Sequence, residues 1–154
     1  MTIRSSAAHD ISTRPSLTLQ RRLRAPPAKV FAAWTDPKQI VHWFGPAHVV
    51  AGSARAELDV RTGGRFRVSF STDDGEYHEV GGTYREVVPG QRLVFSWAWH
   101  STPERESQVT VSLELDGDRT LLTVQHEQLF DQAARDGHAR GWTGSLDKLE
   151  AFVV

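Results

Sequence analysis

The sequence contains no cysteine. That excludes disulfides, thiolate metal sites and thiol nucleophiles, and it suits a reducing cytoplasm, which is the compartment expected here. Charge of one sign is also lacking: 18 basic residues meet 19 acidic ones, for a net charge of -1. Neither a nucleic acid nor an anionic membrane surface is expected as a partner of so balanced a chain. The densest basic run is Arg21, Arg22 and Arg24, which reads as one charged face of an edge strand. No apolar run approaches the roughly 18 residues of a membrane span, and residues 1–15 lack the apolar core of a signal peptide. They read as a polar arm ahead of one domain at 16–154.

Catalytic and metal signatures are equally scarce. The 7 histidines are scattered, with no His-x-x-x-His pair on a helix and no close carboxylate triad, so no metal and no other cofactor is expected. There is no Gly-x-Ser-x-Gly and no Ser–His–Asp order, so no catalytic residue is assigned. Gly63-Gly64 and Gly81-Gly82 lie between strands rather than opening a helix. They read as bends or bulges, not phosphate loops.

What the sequence does have is aromatic bulk, including Trp34, Trp43, Trp97, Trp99 and Trp142. Indoles fill cores and line ligand pockets, where each supplies area and one donor. "SLTLQRRLRA" predicts a first strand with Leu17, Leu19 and Leu23 inward. "PPAKVFAAW" predicts a short helix with prolines at its start, and "TDPKQIVHWFGP" a second one, capped by Asp36 and stopped at Gly45-Pro46.

The period then changes from helical to two. A strand over 54–64 is followed by "RFRVSFS", in which Phe66, Val68 and Phe70 share a face. "YHEVGGTYREVV" and "RLVFSWAWH" come next, the latter placing Phe95, Trp97 and Trp99 together. "QVTVSLELD" and "RTLLTVQHE" flank an Asp116-Gly117 hairpin turn. Consecutive hairpins with short turns predict a meandering antiparallel sheet.

The closing segment 137–154 predicts a helix whose His138, Trp142, Ser145, Leu146, Leu149, Phe152 and Val153 fall within an arc of about 120°. Gly141 borders that arc, where a missing side chain would let the helix approach the sheet closely. The fold class is therefore α+β. A curved antiparallel sheet wraps a long C-terminal helix, two short helices follow the first strand, and a cavity is left between them.

These segments, in this order, resemble the START/Bet v 1-like (SRPBCC) superfamily, and within it the family named for the C-terminal domain of the activator of heat-shock protein 90 ATPase. The resemblance rests on "APPAKVFAAWTDPKQIVHWFGP", "LDVRTGGRFRV", "GGTYREVVPGQRLVFSW", "LTVQHEQL" and "HARGWTGSLDKL", spanning residues 16 to 152. It implies a helix-grip fold around a cavity. Uses across the superfamily range from binding hydrophobic ligands to aromatic cyclisation and co-chaperone activity, and the resemblance carries no universal catalytic set.

The cavity-lining candidates follow from strand alternation and helix spacing. His126 shares a face with Leu122 and Val124. It either orients a polar ligand group or acts as a general base, or else it is a core histidine with local hydrogen bonds. Phe95, Trp97 and Trp99, with Phe66 on a neighbouring strand and Trp142 and Leu146 on the helix, form either an aromatic ligand wall or plain packing. Trp43 and Phe44 stand at the expected cavity mouth, as gate or as lid. Arg61 is either paired with Asp59 at the surface or turned inward to hold a carboxylate, with Tyr84 and Glu86 completing a polar cluster.

The expected function is binding of a small hydrophobic or aromatic molecule. The alternatives are a chaperone-associated module, as the family name suggests, and a cyclase- or hydrolase-type enzyme using His126 with Tyr84 or Arg61. A monomer or weak dimer is expected, since no pattern marks a dimer face.

Overall fold

A computed structural model describes residues 14–154, so residues 1–13, and with them most of the arm expected at 1–15, lie outside the described residues. One seven-stranded antiparallel sheet and three helices account for these residues.

The strands are β1 (Leu17–Leu23), β2 (Arg55–Leu58), β3 (Arg65–Ser71), β4 (Tyr77–Val88), β5 (Arg92–Trp99), β6 (Ser107–Asp116) and β7 (Arg119–Glu127). They are ordered β1-β7-β6-β5-β4-β3-β2. Thus β2 to β7 meander, and β1 returns to pair with β7, Leu17 opposite His126. Helices α1 (Pro27–Thr35) and α2 (Pro37–Ile40) follow β1, and α3 (Gln132–Phe152) closes the chain. On the edge strand β1, Arg21 shares the face of Leu19 and Leu23 and pairs with Asp147 and Glu150 on α3, while Arg22 points the other way and pairs with Asp116.

Local chemistry sets the element ends. The Asp36 carboxylate accepts from the Lys38 amide at 2.9 Å, capping α2 just ahead of Pro37. The Asp131 carboxylate accepts from the Ala134 amide at 2.8 Å, so α3 begins at Gln132, one turn and more before the expected start at residue 137. The expected strand over 54–64 stops at Leu58 instead. Residues beyond it turn back on themselves, the Gly64 amide bonding the Arg61 carbonyl, and a β-carbon on Gly64 would stand 2.0 Å from the Asp59 carbonyl oxygen.

Curvature is built into β4. Its pairing with β5 lapses at Gly82 and Thr83, where the Ser96 hydroxyl takes over the Thr83 amide at 2.8 Å. A bulge at Arg85 then shifts the register by one residue. The bulge bends the strand and changes which side chains beyond it face inward.

The core lies between the sheet and the helices. Val68, Phe70, Leu93, Val109, Val111, Leu122 and Val124 from the strands meet Val30, Trp34, Trp43, Leu146 and Leu149 from the helical side. Phe152, expected inward, is exposed near the end of the helix and stacks on His42 at 5.5 Å.

The close approach of α3 falls at Gly144, not at Gly141. A β-carbon on Gly144 would lie 2.8 Å from the Ala47 amide nitrogen, whereas one on Gly141 would meet nothing within 4 Å. The surface approached is the loop after α2 rather than the strands. Ser145 beside it accepts from the Gly45 amide at 3.0 Å and donates to the Gly45 carbonyl at 2.8 Å, and the Lys148 ammonium reaches the Pro46 carbonyl.

The two glycines should therefore respond oppositely to one added methyl. Gly144→Ala forces the loop away and should lower stability by about 1–2 kcal/mol, an overpacking cost partly offset by better helix propensity. Gly141→Ala should be neutral or stabilising by up to about 1 kcal/mol. Urea denaturation of both variants checks this, and equal responses would contradict the contact.

Candidate functional site

Beneath the bend in the sheet lies an open pocket of about 590 Å3, between α3 and the concave faces of β3, β4 and β5. Its size falls within the range of small-molecule sites. The wall is aromatic: Phe44, Phe70, Trp97, Trp99 and Trp142. Their rings meet at centroid distances of 5.3 Å for Trp97–Trp142 and 5.6 Å for Trp97–Trp99, mostly edge-to-face or tilted.

Behind this wall runs a buried chain of hydrogen bonds. The Trp142 indole N–H donates to Nδ1 of His126 at 3.0 Å. An N–H aimed at Nδ1 requires that nitrogen to be the acceptor, so the proton resides on Nε2. Nε2–H then donates to the Ser107 hydroxyl at 2.7 Å, and that hydroxyl to the Trp97 carbonyl at 3.3 Å.

His126 is fully buried. Burial, and after it the nearby His138, pushes its pKa well below 6.5. With both nitrogens engaged it has no lone pair for a substrate, so it anchors the pocket from behind and is not placed to act as a general base.

A second neutral histidine stands in the wall itself. Nδ1–H of His138 donates to the Ala134 carbonyl at 2.7 Å, and Nε2 accepts from the Trp99 indole at 2.9 Å. Burial lowers its pKa, opposed in part by the bond to Ala134. The His126 and His138 rings lie 4.9 Å apart, an arrangement that disfavours charge on either.

The opposite rim comes from the β3–β4 turn. The Thr72 hydroxyl donates to the Asp74 carboxylate at 2.5 Å and meets Nε2 of His78 at 3.2 Å. That hydroxyl, followed by the Glu76 amide, holds the Asp74 carboxyl below its usual range. Since the single Thr72 proton goes to the Asp74 carboxylate, Nε2 of His78 must be the donor.

Of the twelve lining candidates, Phe44, Trp97, Trp99 and Trp142 line this pocket. Trp43 and Leu146 are core: the Trp43 indole donates to the Ala33 carbonyl, and Leu146 is fully buried. Phe66, Tyr84 and Phe95 pack on one another around a separate void of about 20 Å3. Burial, then Asp59, raises the Tyr84 hydroxyl pKa.

The polar cluster of Arg61, Tyr84 and Glu86 does not form. Arg61 is exposed and bonds Asp59 at 3.0 Å, because the chain leaves the sheet at Leu58. Glu86 is separated from the face of Tyr84 by the bulge at Arg85 and pairs with Arg92 at the surface.

The sequence reading missed His78, Thr72 and Gly137, which also line the pocket. Phe70 was legible from its alternation with Phe66 and Val68, and His138 from its spacing of four to Trp142. The turn residues carried no period that could point them at a site. Among the described residues no three His, Asp or Glu side chains are grouped to hold a metal ion. Nor is any described helix long and apolar enough to cross a membrane.

A curved antiparallel sheet gripping a C-terminal helix, with two short helices after the first strand, defines a Bet v 1/START-like helix-grip protein. More narrowly, the chain belongs to the family described as Activator of Hsp90 ATPase homolog 1-like protein, whose model matches residues 24–153. Protein CV1439 from Chromobacterium violaceum is 29% identical with a TM-score of 0.79, over 89% of this chain and 96% of its own. The AHSA1 protein SPO3351 from Silicibacter pomeroyi is 28% identical at a TM-score of 0.74, over 89% and 96%. CalU16 from Micromonospora echinospora is 28% identical at a TM-score of 0.66, over 90% and 75%. No curated protein matches the chain.

The two histidines tie stability to pH. Both are neutral when folded and have pKa values below the ordinary 6.5. Below that pH the unfolded chain takes up protons that the folded one refuses. Stability is therefore full above pH 6.5 and should fall as pH drops beneath it, by at most about 1.4 kcal/mol per pH unit for each ring. Urea titrations from pH about 7.5 to about 5 measure the slope. His126→Gln combined with His138→Gln should flatten it, and an unchanged slope would refute the assignment.

Proposed function

We propose that the protein binds a small hydrophobic or aromatic molecule in the pocket between the sheet and α3. The observation that supports this most is the half-open pocket of about 590 Å3 walled by five aromatic side chains, with polar side chains at its rim and His138 in the wall. Burial of a ligand's apolar surface against such a wall supplies affinity, while the rim supplies orientation. The family's fold is consistent with this use. A catalytic reading built on His126 loses its base, because Trp142 and Ser107 occupy both ring nitrogens. The chaperone reading has only the family's name behind it.

Native mass spectrometry of protein purified from its own host should show a discrete added mass that leaves on denaturation. The bound species should quench tryptophan emission, since Trp97, Trp99 and Trp142 form the wall. At a ligand concentration of about 100 times Kd it should add about 2.7 kcal/mol of stability. A clean unliganded mass, together with no quenching by any compound in a broad aromatic and lipid panel, would defeat the proposal.

A further inference from the structure

Two polar atoms of the core lack a partner, and both are hydrogen-bond donors. The indole N–H groups of Trp34 and Trp97 are buried, and no acceptor reaches either one among the described residues. Buried donors in folded proteins are almost always bonded, so each of these calls for an acceptor oxygen. Trp97 lines the aromatic pocket of about 590 Å3, and Trp34 lines the inner void of about 20 Å3. The other indoles of the pocket wall are committed, Trp99 to His138 and Trp142 to His126.

Phe44 borders the pocket and the void alike. Around Trp97 stand the rings of Phe44, Trp99, His126, His138 and Trp142, at centroid distances of 5.2–6.1 Å. Four of the five are fixed by the hydrogen bonds that pair them. Phe44 has no polar atom to tie its side chain, and the bonds between Ser145 and Gly45 hold only the backbone beside it. It is the one ring of this enclosure that can turn without breaking a hydrogen bond.

The rim carries charge of both signs. The exposed Arg140 and His48 share it with Asp74 and Glu76. Asp74 is engaged by the Thr72 hydroxyl and the Glu76 amide, and the Glu76 carboxylate stands 3.8 Å from Nε2 of His78. An anionic ligand would gain from Arg140 but lose to both carboxylates and give up its hydration, so the rim favours a neutral one.

Resting on the ligand-binding reading above, we infer that the ligand is a neutral apolar molecule bearing a carbonyl oxygen, which accepts from the Trp97 indole N–H once Phe44 turns aside. The donor has already lost its water and has no protein bond to give up, so an acceptor gains more there than at a solvated group. The turned ring also opens the inner void, whose volume admits one small group beside the Trp34 N–H. Trp97 is thus a specificity-determining residue, and Phe44 is a gate.

Three probes separate these elements by calorimetry on the intact protein: 2-acetylnaphthalene, 2-isopropenylnaphthalene, which has a methylene in place of the carbonyl oxygen, and 2-naphthoate. The ketone should bind at least about tenfold more tightly than the alkene, and the naphthoate no more tightly than the ketone. Trp97→Phe should erase the preference for ketone over alkene. Should that variant misfold, nitrogen-15 NMR of the native protein reads the same bond: the Trp97 indole N–H should move downfield with the ketone and not with the alkene. Phe44→Ala should speed association of the ketone, followed by tryptophan quenching, at least about tenfold. Equal binding of ketone and alkene by the native protein, an unmoved Trp97 resonance, or an unchanged association rate overturns this inference while leaving a cavity that binds hydrophobic molecules. Tighter binding of naphthoate that Arg140→Gln abolishes would assign the acceptor to the rim and overturn it as well. Absence of binding by every probe, and by every member of a broader panel, overturns both readings.

Discussion

The helix, the sheet and the pocket depend on one buried chain of hydrogen bonds, from Trp142 through His126 and Ser107 to the Trp97 backbone. It crosses from α3 to β7, β6 and β5, so it fixes the height and rotation of the helix above the sheet. Apolar contacts alone would tolerate sliding, because leucine and valine surfaces are non-directional. A buried indole N–H and imidazole are not tolerant, since breaking the chain leaves polar groups unpaired in a dry core. The same bonds hold Trp142 and Trp97 as a rigid corner of the pocket.

A second constraint sits at the other end of the pocket. Gly144 and Ser145 receive the loop after α2, and the Ser145 hydroxyl satisfies both the amide and the carbonyl of Gly45. Phe44, just before that loop, is thereby delivered against Trp97 and Trp142. The pocket is thus bounded by tightly tied elements on the helix side, and by a turn on the sheet side whose side chains are joined to one another through Thr72. Between these ties the helix presents glycine and alanine. Space is left there because small residues stand at positions from which larger ones would have projected into it.

The polar arrangement also explains why the histidines of this protein have different fates. His126 and His138 are neutral because burial opposes their charge and indole donors require an acceptor. Both act on the protein rather than on a ligand. His78 stands at the rim, its Nε2 tied to Thr72. Sequence position does not separate these roles, since His126 and His78 each lie on an alternating strand.

What the sequence determined by itself was the order and kind of the elements. Alternation over 65–71, 92–100 and 108–127, the Asp36 cap and the Asp116-Gly117 turn are local signals, readable because each depends on near neighbours in the chain. The aromatic wall of Trp97, Trp99 and Trp142 was legible for the same reason, as side chains repeating at the period of a strand or helix. Tertiary structure alone decided the rest. The bulge at Arg85 broke the alternation linking Tyr84 to Glu86, and the turn after Leu58 carried Arg61 out to solvent. Which glycine of α3 meets a neighbour, Gly144 rather than Gly141, depended on a loop about 100 residues away along the chain. The pairing of His126 with Trp142 and of His138 with Trp99 likewise depended on α3 meeting β7 and β5 in the fold. Hydrogen-bond partners and empty space are properties of two surfaces brought together, and no periodicity within one segment encodes the other.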